Sequence, residues 1–83
     1  MTARIFVPDI PELMALIDGV RAVSSYAIHL PENGYWRIED PCEIRLHRRE
    51  IRLGPALWNS ALVGGFQGRI MTFDRDTMVI MNV

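Results

Sequence analysis

The chain contains no lysine, and all nine of its basic residues are arginine. The planar arginine side chain binds carboxylates and phosphates through two parallel hydrogen bonds, which lysine cannot do. A GC-rich coding sequence is the alternative reason for the absence of lysine. Because the net charge is −1, the composition argues against a domain that neutralises a nucleic-acid backbone over its whole surface.

Cysteine is also scarce, since Cys42 is the sole example. A single cysteine excludes an internal disulfide and is typical of a reducing compartment. No apolar run approaches the roughly 18 residues that a membrane-spanning helix needs. The N-terminal residues also lack the apolar segment of a signal peptide. We therefore expect a cytoplasmic protein that does not associate with membranes.

The chain is short, and its 83 residues predict a single compact domain over residues 1–83. A domain of this size buries roughly 60–65% of the surface of its unfolded chain, so its stability as a monomer is marginal. Hydrophobic residues make up 49% of the sequence, which is more than a small core can bury. We expect a homodimer or another partner to cover the surplus.

The first part of the sequence predicts a strand followed by a helix. Ala3–Val7 is β-branched and aromatic, which favours a strand. Asp9 is placed as a helix N-cap, with Glu12 three residues later as in a capping box, and Gly19 is the expected end of the helix. The apolar residues between them have helical spacing: Leu13, Leu16, Ile17 and Val20.

The remaining segments predict two hairpins and a second helix. Residues 24–39 form a hairpin about the turn at Pro31–Gly34, because Asn-Gly tolerates positive φ. A helix is expected over Ala56–Val63, and Phe66–Phe73 pairs with Met78–Val83 in the last hairpin. The fold class is therefore α+β, a small antiparallel sheet built from hairpins with two short helices, in the order β-α-β-β-β-β-α-β-β.

The tetrapeptide Glu-Ile-Arg-Leu occurs twice, at Glu43–Leu46 and Glu50–Leu53. In one continuous strand the two copies would place their apolar residues on opposite faces, because side chains alternate with period two. A hairpin that reverses at residues 48–49 removes this conflict. It would also bring Arg45 opposite Arg52 on the polar face.

Two like charges opposite each other in a hairpin oppose folding, which suggests that an anion or an acidic partner binds there. The predicted partner- or anion-binding residues are Arg45, Arg48, Arg49 and Arg52, with Tyr35 and Trp36 as aromatic anchors. The alternative is an ordinary solvated face, neutralised by Glu43 and Glu50. A nucleic-acid interface that stacks bases on the same aromatic side chains is a further alternative.

The last strand is apolar without alternation, which predicts either a central strand or one that is covered at an interface. The predicted oligomer interface consists of Met78, Val79, Ile80 and Met81. Methionine suits such a surface because its flexible side chain adapts to different partners.

The sequence predicts no catalytic residues, no metal site and no cofactor. Cys42, His29 and His47 lack the spacing of metal ligands. Cys42 and His47 would lie roughly 16 Å apart in an extended segment, too far to share a proton. We therefore expect a small non-enzymatic protein-interaction module, expected as a homodimer, that regulates or inhibits a larger partner with an acidic surface. The alternatives are a nucleic-acid-binding module and a structural subunit of a homo-oligomer.

Overall fold

The computed structural model describes residues 2–83, which form seven strands and two α-helices. The α+β class, with antiparallel strand pairing and two short helices, is confirmed. The elements are β1 (Ala3–Pro8), α1 (Met14–Val23), β2 (Ala27–Glu32), β3 (Tyr35–Asp40), β4 (Glu43–His47), α2 (Pro55–Asn59), β5 (Phe66–Gln67), β6 (Arg69–Phe73) and β7 (Thr77–Met81).

The strands divide into two sheets that share one hydrophobic core. Sheet 1 has the order β2-β3-β1-β5, and sheet 2 has the order β4-β7-β6. Every pairing in both sheets is antiparallel. Buried apolar residues from the two sheets and the two helices form a single cluster, so neither sheet has a separate core.

Strand β1 and helix α1 show how the sequence pattern places the core. Ala3, Ile5 and Val7 are fully buried and alternate with partly exposed residues. Helix α1 contributes the buried residues predicted from its spacing, namely Leu16, Ile17 and Val20. The other face of β1 therefore remains accessible on the outside of sheet 1.

The predicted capping of the first helix is wrong. A 3₁₀ turn over Pro11–Leu13 precedes α1, and no side chain caps it. The Asp9 carboxylate instead accepts a hydrogen bond from the indole nitrogen of Trp36 at 3.1 Å. Gly19 does not end the helix, which continues to Val23. A Cβ at Gly19 would lie 2.9 Å from the Ile51 Cβ, so this glycine allows a neighbouring segment to pack closely.

The predicted hairpin between β2 and β3 is confirmed, with a shorter turn than expected. Pro31 belongs to β2, and the turn consists of Asn33 and Gly34, whose φ angles are 56° and 85°. Positive φ at both positions matches the twist of the flanking strands. Helix α2 begins at Pro55, next to its predicted start, but ends at Asn59.

Residues 50–53 do not form the predicted strand. After β4 the chain coils into a turn in which the Ile51 N–H donates to the His47 carbonyl at 3.1 Å. The Leu53 N–H donates to the Arg48 carbonyl at 3.1 Å. Ile51 and Leu53 are still buried, so a turn rather than a hairpin resolves the conflict between the two tetrapeptides.

The predicted strand over residues 66–73 is divided at Gly68 into β5 and β6. Strand β5 pairs with β1 in sheet 1, whereas β6 pairs with β7 in sheet 2. Gly68 has a φ of +127°, and a Cβ there would lie 2.9 Å from Ile80 Cγ2 and overlap the Met81 carbonyl oxygen. The division therefore requires glycine.

We expect Gly68→Ala to lower the free energy of unfolding by about 2–3 kcal/mol, because it adds backbone strain and a clash. Gly54→Ala is the matched control, since Gly54 has a φ of −69° and a Cβ added there would meet no atom within 4 Å. The control should change stability by less than about 1 kcal/mol. Urea denaturation measures both, and equal effects would contradict this role of Gly68.

Candidate functional site

Arg48 is a structural residue that fixes the turn after β4. Its Nε donates to the Arg75 carbonyl at 3.0 Å, and its Nη1 donates to the Leu53 carbonyl at 3.1 Å. Its Nη2 donates to Asp76 Oδ1 at 3.1 Å. The side chain is only 14% exposed, so Arg48 joins this turn to the loop between β6 and β7 and has little surface left for a ligand.

The predicted pairing of Arg45 with Arg52 is wrong. Arg45 lies opposite Val79, because β4 pairs with β7. The Arg45 Nε donates to Glu43 Oε2 at 2.8 Å. Arg52 lies in the turn with a φ of 60°. The two guanidinium groups therefore do not share one face of a hairpin.

Arg49 and Arg52 remain at the surface. The Arg49 side chain is 82% exposed, and its Nε lies 3.8 Å from Asp76 Oδ1. Arg52 is exposed and makes no ion pair within residues 2–83. The four arginines thus form no continuous cationic strip, and partner binding by any of them stays a prediction.

Tyr35 and Trp36 lie in sheet 1, whereas the arginine segment begins in sheet 2. Trp36 is partly buried, and the Arg21 guanidinium carbon lies 5.7 Å from the centroid of its ring. Together with the hydrogen bond to Asp9, this contact holds Trp36 within the fold. Tyr35 is exposed, and its role as an aromatic anchor stays a prediction.

The residues predicted as an oligomer interface lie in β7, the central strand of sheet 2. Met78, Val79 and Ile80 are buried, with exposures of 0%, 4% and 0%. Their lack of alternation reflects this central position, which was one of the two predicted explanations. Met81 alone among the four is exposed, so it is the one residue that another chain could reach.

Three of the four sheet edges are protected against pairing with another chain. At β4 the Arg45 N–H donates to the Tyr26 hydroxyl at 2.9 Å, and that hydroxyl donates to the Arg45 carbonyl at 3.3 Å. Strand β2 contains Pro31, which has no backbone N–H to donate. Strand β5 has only two residues. Blocked backbone groups, proline and short length all disfavour further strand pairing.

Strand β6 is the remaining edge, and three of its five side chains are apolar. It pairs with β7 on one side, and no other strand within residues 2–83 pairs with its second side. Ile70, Met71 and Phe73 are exposed. Met81, which lies opposite Arg69 at the end of β7, is exposed as well. Four of the eleven large hydrophobic residues that are exposed in the described chain thus lie on β6 or directly beside it.

A second accessible surface lies on the outer face of sheet 1. Arg4 Nε lies 2.6 Å from Glu39 Oε2, and His29 Nε2 lies 3.1 Å from Glu39 Oε1. Arg37 Nε is 3.8 Å from the same carboxylate. The hydrogen bond from Arg4, aided by the nearby positive charges, holds the pKa of Glu39 below its ordinary value of 4.5. Phe6 lies opposite Arg37 on this face.

Apart from Tyr35, sequence reasoning missed the residues of the outer face of sheet 1, and it also missed the β6 edge. The signal for the outer face of sheet 1 was the alternation of polar and buried residues. Arg4 alternates with buried residues in β1, and Arg37 lies next to the buried Ile38 in β3. For β6 the signal was Gly68, which can interrupt a strand. Neither pattern shows which strand becomes an edge.

The loop after β6 is fixed by its own hydrogen bonds. Asp74 Oδ1 accepts from the N–H groups of Asp76 and Thr77 at 3.0 and 2.8 Å. These donors lower the pKa of the Asp74 carboxyl. The Trp58 indole nitrogen donates to the Asp74 carbonyl at 2.7 Å, so helix α2 holds the end of β6 in place.

Within residues 2–83 no three His, Cys, Asp or Glu side chains cluster as metal ligands do. No helix in the same range is long and apolar enough to cross a membrane. No protein-family model matches the chain, and no curated protein matches it in sequence.

We expect Arg48→Ala to lower the free energy of unfolding by about 2–4 kcal/mol, since charged hydrogen bonds from a partly buried group are lost. Arg49→Ala, one residue along the chain, removes an exposed side chain and should cost less than about 0.5 kcal/mol. Chemical denaturation of the two variants makes the comparison. Similar stabilities would show that Arg48 does not fix the turn.

Proposed function

We propose that this chain is a non-enzymatic protein-interaction module that binds an extended segment of another protein along the free edge of β6. The observation that carries the proposal is the exposure of Ile70, Met71 and Phe73 on a strand with one unpaired side. This surface replaces the arginine segment as the favoured site, because Arg48 is used within the fold.

The chemistry of an edge strand supports this type of recognition. The unpaired backbone N–H and C=O groups supply affinity, while alternate side chains select the partner segment. Arg69 begins the strand and Arg75 follows it, and both side chains lie at the surface. We therefore expect a partner that presents an apolar extended segment flanked by acidic residues, as a protein that is regulated or inhibited by this module could do.

Met71→Lys tests the proposal, because a charge on the β6 edge disfavours strand pairing. Met71 is 52% exposed, so the variant should fold. Leu30→Lys is the control, since Leu30 is a 75% exposed apolar residue on the edge strand of sheet 1. In affinity capture with quantitative mass spectrometry, bound partner should fall at least about tenfold for Met71→Lys alone. Equal retention by both variants would contradict the proposal.

A second candidate function is binding of single-stranded nucleic acid on the outer face of sheet 1. The observation that favours it is the grouping of Phe6 and Tyr35 with Arg37 and His29 on that face. Bases stack on aromatic rings, and arginine contacts the phosphates. Glu39 and Glu32 lie on the same sheet and reduce the positive charge, which makes this the weaker candidate.

Fluorescence anisotropy with labelled RNA and DNA oligonucleotides tests this second function. If it holds, Arg37→Gln should weaken binding, while Arg52→Gln, in the distant turn, should not. Two phosphate contacts predict a slope of about −1.4 for log K against log salt. Absence of binding at low salt, or an equal loss in both variants, would reject the outer face of sheet 1 as the interface.

A further inference from the structure

We infer that the segment that pairs with β6 is β6 of a second copy of this chain. The two copies would join across a two-fold axis, so that their three-stranded sheets form one sheet of six strands. The inference rests on the open β6 edge of the proposed function, and a copy paired there would compete with a segment of another protein for that edge.

Strand β6 contains a bulge between Ile70 and Thr72. Ile70 lies opposite Ile80 of β7, but Thr72 lies opposite Val79, so Met71 is an extra residue without its own partner. A bulge shifts the alternation of a strand by one residue. The two sides of β6 must therefore be assigned from its partners in β7 and not from odd and even numbers.

The bulge places the two large apolar residues of β6 on the same side. Phe73 lies opposite Met78 and Ile70 opposite Ile80, and both of these β7 residues belong to the core. Ile70 and Phe73 therefore face the core side of sheet 2. Arg69 and Thr72 face outward, and alternation gives Asp74, the next residue after β6, the outward side as well.

This arrangement is complementary to itself. In a two-fold antiparallel pair, residues opposite each other share a face. If Thr72 lies opposite Thr72 of the copy and Met71 again has no partner, Ile70 lies opposite Phe73 and Arg69 lies opposite Asp74. Hydroxyl, apolar and oppositely charged pairs of this kind all stabilise antiparallel strands. Without the bulge, Ile70 and Phe73 would face opposite sides, and no two-fold register could pair them.

The charges at the two ends of the strand support this register. Arg69 is exposed and makes no ion pair within the described range 2–83. Asp74 uses Oδ1 for its own turn, and these two backbone donors hold the pKa of its carboxyl below the ordinary value. Its second oxygen can then accept from a guanidinium group. Because the dimer is two-fold symmetric, the ion pair between Arg69 and Asp74 of the other copy occurs twice.

Disulfide trapping tests the register directly. Residues opposite each other in antiparallel strands have Cα atoms about 4.5–5.5 Å apart, a distance that a disulfide spans. In a Cys42→Ser background, which removes the exposed native thiol, Thr72→Cys should form a covalent dimer on mild oxidation. His29→Cys in the same background, on β2 of sheet 1, should form no covalent dimer. No covalent dimer for Thr72→Cys, or equal amounts for both variants, would overturn the inference.

Sedimentation equilibrium provides a second measurement on the chain with its native cysteine reduced. Wild-type protein should dimerise, and Arg69→Glu should raise the dissociation constant about tenfold, because two attractive pairs become repulsive. Arg52→Glu, an equal charge change outside β6, should leave it unchanged. Equal effects of the two changes would also overturn the inference.

The experiments separate this inference from the proposed function. A monomeric wild-type chain that still captures a different protein through Met71 would overturn self-pairing and keep the proposed function. A dimer that is trapped through Thr72→Cys and weakened by Arg69→Glu supports self-pairing, even where no other protein depends on Met71.

Discussion

The backbone conformation of Gly68 is the constraint on which the arrangement of the two sheets depends. A φ of +127° and the close approach of Ile80 and Met81 leave no space for a side chain. The chain therefore leaves sheet 1 after β5 and enters sheet 2 as β6. Because β7 is paired on both sides, β6 becomes an edge, and its apolar residues remain accessible.

The arginine segment shows why a run of charge in the sequence does not define a binding surface. Arg48 donates to two carbonyl groups and one carboxylate, so its charge holds two loops together. Arg45 contacts Glu43, and Arg49 lies near Asp76. Each of these contacts lowers the positive charge that a partner would meet. Along the open side of β6, by contrast, no strand within residues 2–83 pairs with the apolar edge.

Sequence patterns predicted the elements better than their tertiary arrangement. The apolar spacing of α1 and the Asn33-Gly34 turn depend on neighbouring residues, and both predictions are confirmed. The predicted capping of the helix by Asp9 is wrong because Trp36, which is distant in the chain, donates a hydrogen bond to the Asp9 carboxylate. The prediction of a strand at residues 50–53 is wrong because β4 pairs with β7 and not with the segment that follows it. The candidate site depends on the same long-range pairing, so local periodicity could not identify it.

Amide hydrogen exchange across residues 69–73, measured by NMR at increasing protein concentration, tests whether β6 is an open edge that pairs with a second copy of the chain. We expect that β7 amides are protected at every concentration, while the amides of β6 that point away from β7 become protected only as the concentration rises. Full protection of all β6 amides in dilute protein would contradict an open edge. Rapid exchange of the outward amides at every concentration would contradict its pairing with a second copy.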